Sequence, residues 1–289
     1  MPRPPRLHVP GGHYHVILRG NHRQVLFATA ADRHVLNGIC AEVIQRFSAR
    51  VHAFCWMSNH LHALVQIADR PLGPLMQRIA MRFSRHRHKA LRTSGHLFER
   101  RYKARLVDVD AYFLTLLRYI HLNPVKAHIV VDPAHYPWSS HRAYLGIQSA
   151  PWLTTDFGLS LFSTDPVRAR NLYRRFMASP SDDDVSESNT HPKDPRVLGT
   201  DEFLNRISAP LYQRKSALSL EQLATRLCQS HNITVELLRS LSRARSLTAI
   251  HIQFARDAIQ LRIATLSDVA RFLHRDPSAL TKLLARYPQ

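Results

Sequence analysis

Trp56-Met57-Ser58-Asn59-His60-Leu61-His62-Ala63-Leu64-Val65 is the stretch on which the reading of this chain turns. Val51 to Met57 and His60 to Ile67 are two β-rich runs joined at Ser58-Asn59, which predicts an antiparallel hairpin. Side chains at i and i+2 of a strand share a face, so His60 and His62 stand side by side on its second strand.

Working outward, His13 to Arg19 alternates as a strand until Gly20-Asn21 breaks it. From about Ala30 to Arg50, Val35, Ile39, Val43, Ile44 and Phe47 recur at helical spacing. Pro71 to Leu91 predicts a basic amphipathic helix, with Leu75, Ile79 and Phe83 inward and Arg78, Arg82, Arg85 and Arg87 outward. Tyr102 to Val109 reads as a strand. Asp110 then caps a helix running to about Asn123, with Pro124 near its end. The order β-α-β-β-α-β-α predicts an α+β fold: an antiparallel sheet of about four strands with helices packed on one face, its centre supplied by the hairpin.

At 289 residues the chain has room for about two domains, taking roughly 150 residues for each. Residues 180–188 are acidic and poor in large apolar side chains, the composition of a flexible linker extending to about 195. The expected division is a first domain over 1–150, a connecting region over 151–217 and a helical domain over 218–289. In the last, Leu266 to Leu280 has the pattern of a helix-turn-helix whose second helix begins near Pro277. No internal repeat is present.

Forty Lys and Arg against 21 Asp and Glu leave a net charge of +19, which favours a polyanionic partner, nucleic acid first, over an ordinary solvated surface. The cysteines Cys40, Cys55 and Cys228 are too scattered for a disulfide framework or a thiolate metal site, and a reducing cytoplasm is expected. Met1 to Arg6 lacks the apolar core of a signal peptide, and no run of about 18 apolar residues exists, so no membrane partner is expected.

Nineteen histidines among 289 residues give about one His-x-His by chance, and His13/His15 and His86/His88 share that spacing. His60 and His62 differ in following a tight turn within an apolar flank, where an imbalanced imidazole is costly. Taken alone, they are more often core or surface histidines than metal ligands. Tyr119 suits the edge of a helical core as well as it suits chemistry, and Asn123 suits a helix end. Their i, i+4 relation puts phenol and amide on one helical face, where the amide oxygen could be a third ligand. Imidazole with carbonyl oxygen accepts Mg²⁺ or Mn²⁺. Converging on one point, these groups supply what phosphodiester cleavage through a covalent tyrosine requires.

Four blocks carry a family resemblance: His15 to Gln24, Met57 to His62, Tyr119 to Ala127, and Tyr136 to Ser140. Through them residues 5–150 resemble the single-tyrosine transposases of the HUH nuclease superfamily, most closely the REP-associated tyrosine transposases of bacteria. His128 departs from the small residue common after that family's Ala. The resemblance implies a ferredoxin-like HUH domain, a divalent cation on His60 and His62 with Asn123 as a further ligand, and Tyr119 as nucleophile. It implies a metal-dependent endonuclease and strand transferase acting on single-stranded DNA with hairpin repeats, as monomer or homodimer, in the bacterial nucleoid. Arg19, His22, Arg23, Arg78, Arg82, Arg85, Arg100, Arg101 and Lys103 are the candidate phosphate contacts, each also fitting a solvated surface. A replication-initiation nickase and a non-cutting DNA-binding regulator are the alternatives.

Residues 218–287 resemble the DNA-binding domain of the replication initiator DnaA, through Ala244 to Ile250, Leu266 to Ala270 and Asp276 to Leu280. Pro277 and Ala279 replace that family's His and Thr. Duplex binding, with Ser278 and Lys282 as contacts, is expected without the initiator's own target; a packing role is the alternative.

Overall fold

Alternation in the first strand sets the sheet. In the computed structural model, which describes residues 7–179, 191–212 and 218–286 apart from 241, 243, 262 and 265, β1 spans His13–Arg19. It is followed by α1 (Ala30–Arg46), β2 (Arg50–Trp56), β3 (His60–Gln66), α2 (Leu72–Leu91), β4 (Lys103–Val107) and α3 (Val109–Lys126). Short helices α4 (His141–Tyr144) and α5 (Asp156–Ser160) precede α6 (Pro166–Ala178), β5 (Val197–Leu198) and α7 (Asp201–Tyr212). The chain divides into two compact units, Met1–Leu204 and Asn205–Gln289.

The strand order is β2-β3-β1-β4-β5, with β1 antiparallel to both β3 and β4, and β2 antiparallel to β3. The expected α+β class and element order hold, with three corrections. First, the hairpin supplies only one interior strand: β3 is central, but β2 is an edge. That edge is covered by the segment after α3, where Trp56 N–H donates to the Trp138 carbonyl (2.9 Å) and Ser140 N–H to that of Phe54 (2.9 Å).

Second, helices lie on both faces of the sheet. Trp56, on one face, donates its indole N–H to Asn37 of α1 (2.7 Å). On the same face Tyr14, Ala104 and Leu106 line a cavity with Leu72 of α2. On the other face Ala53, Cys55, Leu64 and Val107 share a core with Phe113, Leu116, Leu117 and Ile120 of α3. A sheet with apolar residues at both alternating positions needs cover on both sides.

Third, the sheet has a fifth strand. β5 arrives from beyond the expected linker and runs parallel to β4, pairing Leu106 with Val197 and Val107 with Leu198. Leu159, Ala169, Tyr173 and Met177 join the α3 core, so residues 151–179 and 191–204 fall in the same compact unit as the sheet. The linker expected at 180–195 falls largely on residues 180–190, outside the described residues.

Local chemistry fixes the element ends. Thr29 and Asp32 form a capping box at the start of α1. Asp32 also takes hydrogen bonds from His86 (2.9 Å) and Arg87 (2.7 Å) of α2. Burial raises its pKa, but these hydrogen bonds and that of Thr29 outweigh it and leave the carboxyl at about 2. Arg87, expected outside, is therefore buried between the helices. α3 begins behind Asp108, so Asp110 lies in its first turn rather than capping it. It also continues past Pro124 to Lys126.

The second unit is all α. Helices α8 (Leu220–Ser230), α9 (Val235–Arg239), α10 (Arg245–Gln260), α11 (Leu266–Phe272) and α12 (Pro277–Arg286) enclose a core of Leu223, Leu227, Leu238, Phe254, Val269 and Leu280. Asp276 accepts the backbone N–H of Ser278 (2.8 Å) and Ala279 (3.1 Å), which starts α12 with Pro277 in its first turn. Among the described residues no helix is long and apolar enough to cross a membrane.

Candidate active site

Directly opposed residues of antiparallel strands share a face. Register pairs Arg19 of β1 with His60 of β3, and Ile17 with His62, while His15 of β1 pairs with Arg105 of β4. His15, His60 and His62 therefore stand on the face that α3 covers. The turn before His60 is braced: Gly20 N–H donates to the Asn59 carbonyl (2.8 Å), and Leu26 N–H to that of Ser58 (2.8 Å). A Cβ on Gly20 would lie 2.5 Å from the Gln24 carbonyl oxygen, so only glycine permits this approach.

The rings of His60 and His62 are 4.9 Å apart and edge-to-face. Tyr119 of α3 presents its ring edge-on to His62 at 5.6 Å and to His15 at 5.9 Å. Asn123, one turn on, donates its side-chain N–H to the Tyr119 carbonyl at 2.8 Å. The structure thus gathers the expected phenol and both imidazoles, with Asn123 on the same helical stripe. Lys126 continues that stripe, its ammonium 5.3 Å from the centre of the Tyr119 ring.

Burial sets the protonation. His62 is held well below the ordinary histidine range, first by desolvation and then by His15, His60 and Arg19. His15 is pushed down to about 3 by burial and by Arg105. Both rings are consequently neutral at pH 7, the form in which imidazole can ligate a metal.

The donor set fits a divalent cation in a specific way. Asn59 Oδ1 lies 2.7 Å from His60 Nδ1, and His15 Nε2 lies 3.1 Å from His62 Nδ1. With each Nδ1 engaged, Nε2 is the nitrogen that either residue could offer a cation. Among the described residues no set of three or more His, Cys, Asp and Glu side chains is placed to hold a metal ion. The third imidazole here, His15, has its Nε2 on His62 instead.

Residues 8–123 match a family model described as "Transposase IS200 like". This part of the chain is therefore similar to the IS200-like transposases. The match ends at Asn123 and does not reach the second unit. The chain is also similar to the structure of a "REP associates tyrosine transposase bound to a REP hairpin", at 18% identity and a TM-score of 0.44, covering 53% of this chain and 92% of the other. A Deinococcus radiodurans R1 protein described as a transposase gives 21% identity and a TM-score of 0.29, over 44% and 95%. These two likenesses add nothing finer than the family match. No curated protein matches the chain.

The basic residues expected to contact phosphates separate into groups. Arg19, Arg100, Arg101 and Lys103 converge on an open cavity of about 610 Å³, joined by Arg196 from beyond the linker. His22 and Arg23 sit exposed in a turn where both have left-handed backbone angles, φ 48° and 58°. Arg78 and Arg85 are exposed on α2, away from the imidazoles in sequence register, whereas Arg82 is engaged by Glu42 of α1 at 2.6 Å. Ser278 and Lys282 are exposed on α12. Sequence reasoning passed over His15, Arg105 and Lys126. A second His-x-His, at His13/His15 on the adjoining strand, was the available signal for the first.

Proposed function

We propose that this chain is a metal-dependent single-stranded DNA endonuclease and strand transferase, acting on hairpin-flanked repeats through a 5′-phosphotyrosine. The observation that carries the reading is the Tyr119 ring edge-on to His62 at 5.6 Å, within an IS200-like transposase domain.

Tyr119 Oη attacks the phosphorus, forming the tyrosyl O–P bond as the bond from phosphorus to the 3′-oxygen breaks. The phenol gives up its proton on attack, and the departing 3′-oxygen takes one up. One ester replaces another, so a later 3′-hydroxyl can reverse the step and join a new end without external energy. Asn123 holds the Tyr119 turn through its bond to that residue's carbonyl. A divalent cation, Mg²⁺ or Mn²⁺, on His60, His62 and Asn123 would neutralise charge at the non-bridging phosphate oxygens.

Positioning of the strand falls to cations. Arg19 stands opposite His60 in the strand register and also lines, with Arg100, Arg101 and Lys103, a basic cavity that would take phosphates. His22, Arg23, Arg78 and Arg85 extend the basic surface, with Arg82 shared with Glu42. In the second unit, α11 and α12 are read as a DnaA-like helix-turn-helix, offering Ser278 and Lys282 to duplex DNA. The place of action is the bacterial cytoplasm, at the nucleoid.

The test is direct. The full-length protein is incubated with end-labelled single-stranded DNA carrying a hairpin repeat, with Mn²⁺ or with chelator, and resolved on a denaturing protein gel. A labelled adduct that requires metal and maps to Tyr119 is the expected result. Binding without any adduct would replace the enzyme with a DNA-binding regulator.

A further inference from the structure

His15 lies wholly within the sheet–helix interface, at 2% exposure, and its ring stacks on that of His62 with centroids 5.4 Å apart and planes 18° from parallel. Its Nε2 meets His62 Nδ1 at 3.1 Å. Its other nitrogen, Nδ1, is buried without a hydrogen-bond partner among the described residues. A buried polar atom left unpaired is destabilising, and an apolar side chain in this place would avoid it. The imidazole therefore needs a reason to be there.

Two neutral rings sharing one hydrogen bond have two arrangements. In one, His62 Nδ1–H donates to His15 Nε2, which leaves the lone pair of His62 on Nε2 and the proton of His15 on Nδ1. In the other, His15 Nε2–H donates to His62 Nδ1, and His62 carries its own proton on Nε2, where it cannot take a metal. No other hydrogen bond to the His15 ring selects between them, so whatever binds at His62 Nε2 decides the state of both rings.

We infer that His15 is a positioning residue for the cation site, accepting the Nδ1–H of His62 and so holding His62 in the tautomer that ligates. The inference rests on the preceding reading that His62 binds a divalent cation. It assigns His15 no contact with substrate or metal. Partners of this kind orient the ligand ring and raise its basicity, and their loss typically costs about 10- to 100-fold in metal affinity.

Two measurements on the full chain test it. Isothermal titration with Mn²⁺ alone compares wild type with His15→Phe, which keeps an aromatic ring in the stack but cannot accept, and His15→Gln, which restores an acceptor oxygen. The expected result is a loss of about 10- to 100-fold in affinity for the phenylalanine variant and substantial recovery for glutamine. Wild-type affinity in His15→Phe, with binding abolished in His62→Ala, would overturn the role of His15 and leave the cation site standing. Absence of Mn²⁺ binding in wild type itself would remove both. Should His15→Phe not fold, ¹⁵N NMR of the wild-type histidines with Mg²⁺ decides. His62 protonated on Nδ1 at saturation supports the inference, and His62 protonated on Nε2 overturns it.

Discussion

Helix α3 carries two clusters of histidine and tyrosine on opposite sides, and they differ in everything except residue type. On one side Tyr119, half-exposed, meets His15, His60 and His62. On the other, His121 is fully buried and hydrogen-bonds Ser140 through Nε2 (2.6 Å) and Tyr173 through Nδ1 (2.8 Å), while Tyr173 reaches His141. The directions in this second cluster follow from its ends. Ser140 donates to the Phe54 carbonyl and accepts the Phe54 N–H, so His121 Nε2–H donates to Ser140 and Tyr173 donates to His121 Nδ1. His141 Nδ1–H then donates to the phenol. Each proton has an assigned place, and the cluster ties α3 to β2, α4 and α6. In the Tyr119 cluster, by contrast, His15 Nδ1 is buried without a hydrogen-bond partner among the described residues, and Tyr119 is only partly buried. A saturated network holds a structure together; an open one has capacity for something else.

The sharpest way to break this contrast is to delete the same hydroxyl on either side. Tyr119→Phe is expected to reduce covalent capture of a labelled hairpin-flanked strand by more than about a thousandfold while leaving strand affinity near wild type. Tyr173→Phe should retain capture and instead lose about 1–3 kcal/mol of stability in urea unfolding, because it strands His121 and His141. Equal effects of the two substitutions on capture would erase the distinction.

Next in size is the metal dependence. His60→Ala is expected to abolish Mn²⁺-stimulated cleavage with the circular dichroism spectrum and unfolding midpoint little changed, and His62→Ala to abolish it with a lowered midpoint, because it strands buried His15. His121→Ala should do the reverse of His60→Ala. Cleavage by wild type that persists undiminished in chelator would detach the imidazole pair from any cation.

A pH series sharpens the structural side. Burial lowers His141 to about 4, and burial with neighbouring His141 holds His121 well below the ordinary histidine range. Unfolded, both would titrate near 6.5. Above about pH 6.5 both states are neutral and stability is unaffected. Below it the unfolded chain binds protons that the folded one refuses, so stability falls at up to about 1.4 kcal/mol per pH unit per ring until the folded pKa is reached. Urea midpoints measured between pH 7 and 4.5 should decline in wild type, and His141→Gln should flatten the slope. A flat wild-type profile would mean that these rings are already charged in the fold.

The smallest effect is expected in the helical unit. Lys282→Ala should weaken binding to duplex DNA a few-fold, uniformly across sequences, and reduce the salt slope by about one. Filter binding across salt concentrations reads both. Single-strand cleavage should be unchanged.

What was legible in the sequence was what local periodicity and turn chemistry dictate. β1, α1, the hairpin, α2 and α3 fall within a few residues of expectation because alternation, helical spacing and the Gly20-Asn21 break are all local. Arg87 shows where that logic fails. It lies one turn beyond Phe83, on the inward stripe with Leu75, Ile79 and Phe83, but its charge argued for solvent and its partner Asp32 sits on another helix. Pairing across elements leaves no periodic trace. The same holds for the second sheet face and for Val197–Leu198, a strand too short to carry an alternating pattern. At the site, His60, His62 and Tyr119 could be named in advance because motif spacing marks them. His15 could not be singled out from His13, since only strand register separates the nitrogen that meets His62 from one that packs against Phe113 and Phe157.

β5 has a practical consequence for anyone trimming this chain. A fragment cut at the end of the family match, or at residue 150, would strip β4 of its outer neighbour and peel Tyr173, Met177 and Leu198 from the apolar side of α3. The bare backbone would invite a strand from another molecule, and the uncovered flank would cling to its like. The shortest fragment that stays dispersed should run to Leu204, well past the last residue that resembles a transposase.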